Sequence, residues 1–101
     1  MSAVNININN FQEEVMHSDR PVLLDFWAPW CGPCRMVGPV VEEIAAERSD
    51  VKVCKINVDE ESELAGRFGV MSIPTLVVIR DGKEVRRSTG AMPKSRILEL
   101  L

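Results

Sequence analysis

What the 101-residue chain lacks narrows what it can be. It has no apolar run long enough to span a membrane, and its start, MSAVNININNFQEE, has neither the basic opening nor the apolar stretch of a secretory leader. The expectation is a cytoplasmic protein. Basic residues are too few and too scattered to form a patch: 12 Lys and Arg stand against 15 Asp and Glu, and the closest pair is Arg86–Arg87. Neither nucleic acid nor a membrane surface is therefore indicated as a partner. No glycine-rich phosphate loop is present, so neither flavin nor nicotinamide is expected to bind. No repeat, low-complexity tract or Pro/Gly/Ser linker divides the chain, which reads as one domain over residues 1–101. Cysteine is scarce and odd in number, at 31, 34 and 54 only. Without a leader that is a poor disulfide framework, and it leaves metal binding or redox chemistry.

What is present is an ordinary globular composition, 46% hydrophobic and 27% charged, which argues against disorder. The periodicity alternates strand and helix. Residues 3–8 read as a strand. Asn10 then offers a helix cap with Glu13 three residues on, opening a helix that turns Phe11, Val15 and Met16 inward and ends near Ser18. The run Val22–Trp27 is apolar enough for a central strand covered on both faces. Past the loop 28–33, apolar residues at Met36, Val37, Val40, Val41 and Ile44 fall at helical spacing, and Pro39 is expected to kink that helix. Residues 51–58 form another buried strand, 61–68 a short helix. Strands 75–80 and 84–88 are joined by Asp81-Gly82, a hairpin signal, and Pro93 suits the first turn of a last helix. This order predicts an α/β fold with a mixed sheet and helices on both faces.

Cys31-Gly32-Pro33-Cys34 lies where a buried strand gives way to a helix. Residues three apart share a helix face, so the sulfurs can come within bonding distance. A helix start favours thiolate at the nearer sulfur, Cys31, expected to be the more exposed of the two. Two plainer readings compete. A structural zinc site would need two more ligands, for which only Cys54 and His17 are candidates; alternatively both cysteines are inert core residues. Asp25 is a carboxyl inside an apolar strand, where burial should raise its pKa. It reads either as a proton acceptor for Cys34 or as an Asp satisfied by Lys55 or local backbone donors. Cys54 reads as a small buried hydrophobe, Trp27 as core, and Trp30 as a shield beside Cys31. Proline 74 cannot donate to a sheet, and with X–Pro bonds cis in only about 5–6% of folded cases, the local sequence favours trans.

Residues DFWAPWCGPCRM at 25–36, Pro39, Lys55, Asp59, Ser72-Ile73-Pro74-Thr75, Asp81-Gly82 and Gly90-Ala91 together resemble the bacterial thioredoxins over essentially the whole chain. The resemblance implies a thioredoxin fold: a five-stranded mixed sheet flanked by four helices, ordered first, third, second, fourth, fifth, with the hairpin antiparallel to the rest. It implies a cis Pro74 against a redox-active Cys31–Cys34 disulfide, and catalytic roles for Cys31, Cys34, Asp25, Lys55 and Pro74 within the motif Trp30, Gly32, Pro33. It implies a substrate groove of Trp30, Met71, Ser72, Ile73, Pro74, Gly90 and Ala91, the backbone at Met71 and Ser72 pairing with an extended peptide. Arg35 stands where lysine is common, and Gly38 before Pro39 loosens the main helix.

The implied activity is reduction of protein disulfides by a monomer that binds no cofactor or metal, re-reduced by a flavin-containing thioredoxin reductase using NADPH. Gly-Pro between the cysteines resembles the reducing branch. A binding subunit using the same groove without turnover is the reading from another class.

Overall fold

Alternation along one strand divides the molecule. The computed structural model describes residues 2–101, and at its centre is β2, Val22–Trp27, with five of its six residues buried. Successive side chains of a strand point to opposite faces. Val22, Leu24 and Phe26 enter one core with Cys54, Ile56, Val77, Ile79 and the helical residues Phe11, Val15 and Leu64. Leu23 enters the other, with Val37, Val41, Ile44, Val53, Leu76 and Ile97. Asp25 shares Leu23's face. Each large apolar side chain fully buried in these cores contributes about 1.5–3 kcal/mol.

The remaining strands are β1 (Val4–Asn5), β3 (Lys52–Asn57), β4 (Thr75–Arg80) and β5 (Lys83–Thr89), in the sheet order β1-β3-β2-β4-β5. β1, β3 and β2 are parallel; β4 is antiparallel to β2 and β5 to β4. Of the hairpin, then, only β4 runs against the others, and β5 returns to their direction. Its turn places Asp81 at φ 51° and Gly82 at φ 75°, the left-handed pair that matches the twist of a tight hairpin. The four helical segments are a π-helical turn at Gln12–Met16, α1 at Gly32–Glu47, α2 at Ser62–Arg67 and α3 at Lys94–Leu100. α1 continues through Pro39, and Pro93 stands just outside α3, at its N-cap.

Two expectations fail at the start of the chain. The first strand is two residues rather than 3–8, and Asn10 caps no helix. The cause is Asn7, whose Oδ1 accepts the amides of Asn9 and Asn10 at 2.8 and 3.0 Å. Asn10's own carboxamide accepts from Asn7 N at 2.8 Å and donates to Asn5 O at 3.0 Å. Short polar side chains that bond local backbone end a strand early, and this one is used up before the helical turn begins.

Among the described residues, no helix is long and apolar enough to cross a membrane.

Candidate active site

β2 delivers the chain to the end of the sheet, and the loop Ala28–Trp30 turns it into α1. Cys31 N donates to Ala28 O at 3.1 Å, which tightens that turn. Cys31 is then the N-cap of α1, with extended backbone, and its Sγ accepts the Cys34 amide at 3.2 Å. A helix start has unpaired amide donors, and here a sulfur takes the place usually held by a Ser or Asp oxygen. Gly32 and Pro33 fill the first two helical positions, where proline's missing N–H costs nothing. Cys31 and Cys34 are joined as a disulfide with Cα atoms 5.3 Å apart.

As whole residues the two cysteines are equally buried. Cys31 is 4% and Cys34 5% exposed, because Trp27, Ala28, Val58 and Ile73 pack around the pair. What separates the two is what lies beside them. On the Cys31 side, the Ile73 carbonyl is 3.8 Å from Sγ and the Ile73–Pro74 bond is cis, as the resemblance implied and the local sequence did not. Trp30, Val58, Val70, Met71, Ser72 and Ile73 line a hollow of about 400 Å³ there. Met71 and Trp30 are its exposed apolar walls, at 96% and 67%. Gly90 donates to Pro74 O at 2.8 Å. Ala91 instead lines a separate hollow with Met36, Val40, Met92 and Pro93.

On the Cys34 side is a cavity of about 460 Å³ whose walls include Trp27, Gly38, Pro39, Glu42 and Lys55. Trp27 is half-buried rather than core, with the Lys55 Nζ 4.9 Å from its ring centroid. Asp25 pairs in register with Lys55 across β2 and β3 and is completely buried. Among the described residues neither of its carboxylate oxygens has a hydrogen-bond partner, so the reading of Asp25 as satisfied by Lys55 or backbone donors fails. Burial pushes its pKa up to about 6, with the Lys55 charge pulling it down and the Glu42 charge adding to the rise.

Cys54 belongs to the core on the sheet's other face and His17 ends the π-helical turn on the surface. The structure therefore does not bring the two remaining zinc candidates to the dithiol, and among the described residues no three His, Cys, Asp or Glu side chains cluster as metal ligands.

Residues 2–101 match the family model described as Thioredoxin. The chain belongs to the thioredoxin family. It is 54% identical to Thioredoxin 1 of Synechococcus elongatus over 92 residues, 90% of this chain and 86% of that one. It is 50% identical to the thioredoxin of Bacillus subtilis over 102 residues, all of this chain and 96% of that one. Thioredoxin 1 of a Nostoc species is 48% identical over 99% of this chain and 94% of its own. Together with the bonded Cys31–Cys34 pair, this membership identifies a thiol–disulfide oxidoreductase.

Three residues around a thioredoxin-type site escaped the residue-by-residue reading. Asp59, noticed only as part of the resemblance, accepts the Trp30 indole N–H at 2.9 Å. Glu42 sits on the polar side of α1 by periodicity, yet its carboxylate bears on Asp25. Gly38, beyond loosening the helix, forms part of the cavity wall. Nothing local in the sequence signals these contacts, which depend on how α1 and the β3 end meet.

Proposed function

We propose that this thioredoxin reduces disulfides in cytoplasmic proteins, acting as a monomer, with Cys31 as nucleophile and Cys34 as resolving thiol. The observation that carries the reading is the dithiol at the start of α1 with an unpartnered buried carboxyl behind it, Asp25. In the reduced protein the Cys31 thiolate attacks one sulfur of a substrate disulfide. A mixed disulfide forms, and the other substrate sulfur leaves as a thiolate. Cys34 then passes its proton to Asp25, and its sulfur attacks that of Cys31. The Cys31–Cys34 bond forms and the Cys31–substrate bond breaks, so the protein is oxidised by two electrons and the substrate reduced by two. Lys55, across the strand from Asp25, holds the carboxylate available as a base.

The hollow beside Trp30, Met71, Ser72 and Ile73 takes the substrate segment. The backbone amide and carbonyl of Met71 have no partner among the described residues, and the Ser72 carbonyl accepts the Thr75 hydroxyl at 2.6 Å. Met71 and Ser72 both offer backbone groups to an extended peptide. Pro74 shapes the floor, with Gly90 bonded to it and Ala91 at the margin. Re-reduction comes from a flavin-containing thioredoxin reductase using NADPH.

Reduction of insulin disulfides tests the assignment. Cys31→Ser abolishes turnover, and Cys34→Ser stops it after one attack with the substrate held on Cys31. Full activity in the Cys31→Ser variant would overturn it, and a standard potential well above the glutathione pool would overturn the reducing direction.

A further inference from the structure

The seventh position of α1 is Gly38, and helix stability gives no reason for it. Glycine is the poorest helix former after proline. A Cβ built on Gly38 meets no backbone, and its one neighbour within 4 Å is the flexible end of Lys55, Nζ at 3.9 Å. Alanine would fit. What the missing side chain does is leave the Lys55 ammonium uncovered on the wall of the 460 Å³ cavity that also reaches Cys34 and Glu42. That cavity lies on the side of the disulfide away from the Trp30–Met71 hollow, which a bound substrate fills.

We propose that Gly38 is a solvent window: the gap it leaves beside Lys55 lets water reach the Cys34 end of the site, so that the proton released in resolution leaves through α1's side while substrate occupies the groove. The inference rests on the assignment of Asp25 and Cys34 above. On resolution the Cys34 proton goes to Asp25, and Asp25 must return it to solvent before the next cycle. Lys55 from β3 and Glu42 from α1 are the charged groups that bear on Asp25, while its β4 neighbour in register, Leu76, is apolar. Arg35 is the other charge on the cavity wall. The cavity reaches Cys34, Glu42 and Lys55, while Asp25 lies fully buried behind them, in register with Lys55.

The test separates the two chemical steps by single-turnover kinetics on Gly38→Ala, Gly38→Leu and Asp25→Asn. Mixed-disulfide formation, followed in a Cys34→Ser background, is expected to stay within about twofold of the parent in both Gly38 variants. Resolution is expected to slow about tenfold in Gly38→Leu at pH 7, the change that about 1.4 kcal/mol of barrier gives. Gly38→Ala, with its smaller plug, falls between. Gly38→Ala melts no lower than the parent, which secures the comparison if the leucine variant folds badly. Equal slowing of both steps, or no slowing of either, would overturn the window. If Asp25→Asn slows resolution and Gly38→Leu does not, the window alone fails; if Asp25→Asn resolves at the parent rate, the assignment beneath it fails.

Discussion

Asp25 and Lys55 lie opposite each other on adjacent parallel strands, yet they form no ion pair, and both Asp25 oxygens are buried with no hydrogen-bond partner among the described residues. A folded protein accepts such an arrangement at a cost to stability. The cost appears here as a carboxyl whose pKa rises from 3.8 to about 6 on folding. Between those values the folded chain holds the proton more tightly than the unfolded chain, so stability falls as pH rises through the window and is level above it. Two units amount to about 3 kcal/mol. Asp25→Ala is therefore expected to be more stable than the parent by roughly 2 kcal/mol at pH 8, after lost packing, with the gain gone at pH 3.5. Urea denaturation of the oxidised protein at both pH values checks this. A variant less stable than the parent at pH 8 would contradict it.

Cys54 is fully buried on the face of the sheet away from the disulfide, and burial pushes its thiol up to about 12. The reduced native protein is expected to react with iodoacetamide at Cys31 and Cys34 but not at Cys54 at pH 8, with modification at 54 only in denaturant. Peptide mass mapping reads the three sites separately. Modification of Cys54 at native rates like those of an exposed thiol would show that the β3 core opens readily.

The Trp30 indole is mostly in solvent and is held by one hydrogen bond to the exposed Asp59. Asp59→Ala frees the ring and leaves no buried group unsatisfied. The expected stability loss is under about 1 kcal/mol. The effect falls on recognition, with kcat/KM for a protein disulfide lowered a few-fold and small-molecule disulfides unaffected. Equal losses on both substrate types would place Asp59's role elsewhere.

Legibility in the sequence followed the range of the interaction. The run Val22–Trp27 and the helix behind Cys31 were readable because each rests on a local pattern, continuous apolarity in one and three-to-four spacing in the other. Asp81-Gly82 was readable because few residue pairs accept two left-handed positions. Asn10 fails as a cap because its side chain is already bonded back to Asn7 N and Asn5 O, contacts that the local capping pattern does not show. The cis bond at Pro74 was not readable locally and came from the resemblance. The equal burial of Cys31 and Cys34, the Glu42 charge on Asp25 and the place of Gly38 on the cavity wall all depend on packing between elements far apart in the chain. No window of sequence contains both partners.

The pH dependence of Cys31 alkylation in the reduced protein bears most directly on the account, since the sulfur at the N-cap of α1 is the group on which every chemical step depends. Cys31 is expected to be modified much faster than Cys34, with a midpoint clearly below the ordinary free-cysteine value of about 8.5, and the difference is expected to vanish once the helix is unfolded in denaturant. A Cys31 that titrates like a free cysteine in the native protein, or reacts no faster than Cys34, would contradict it.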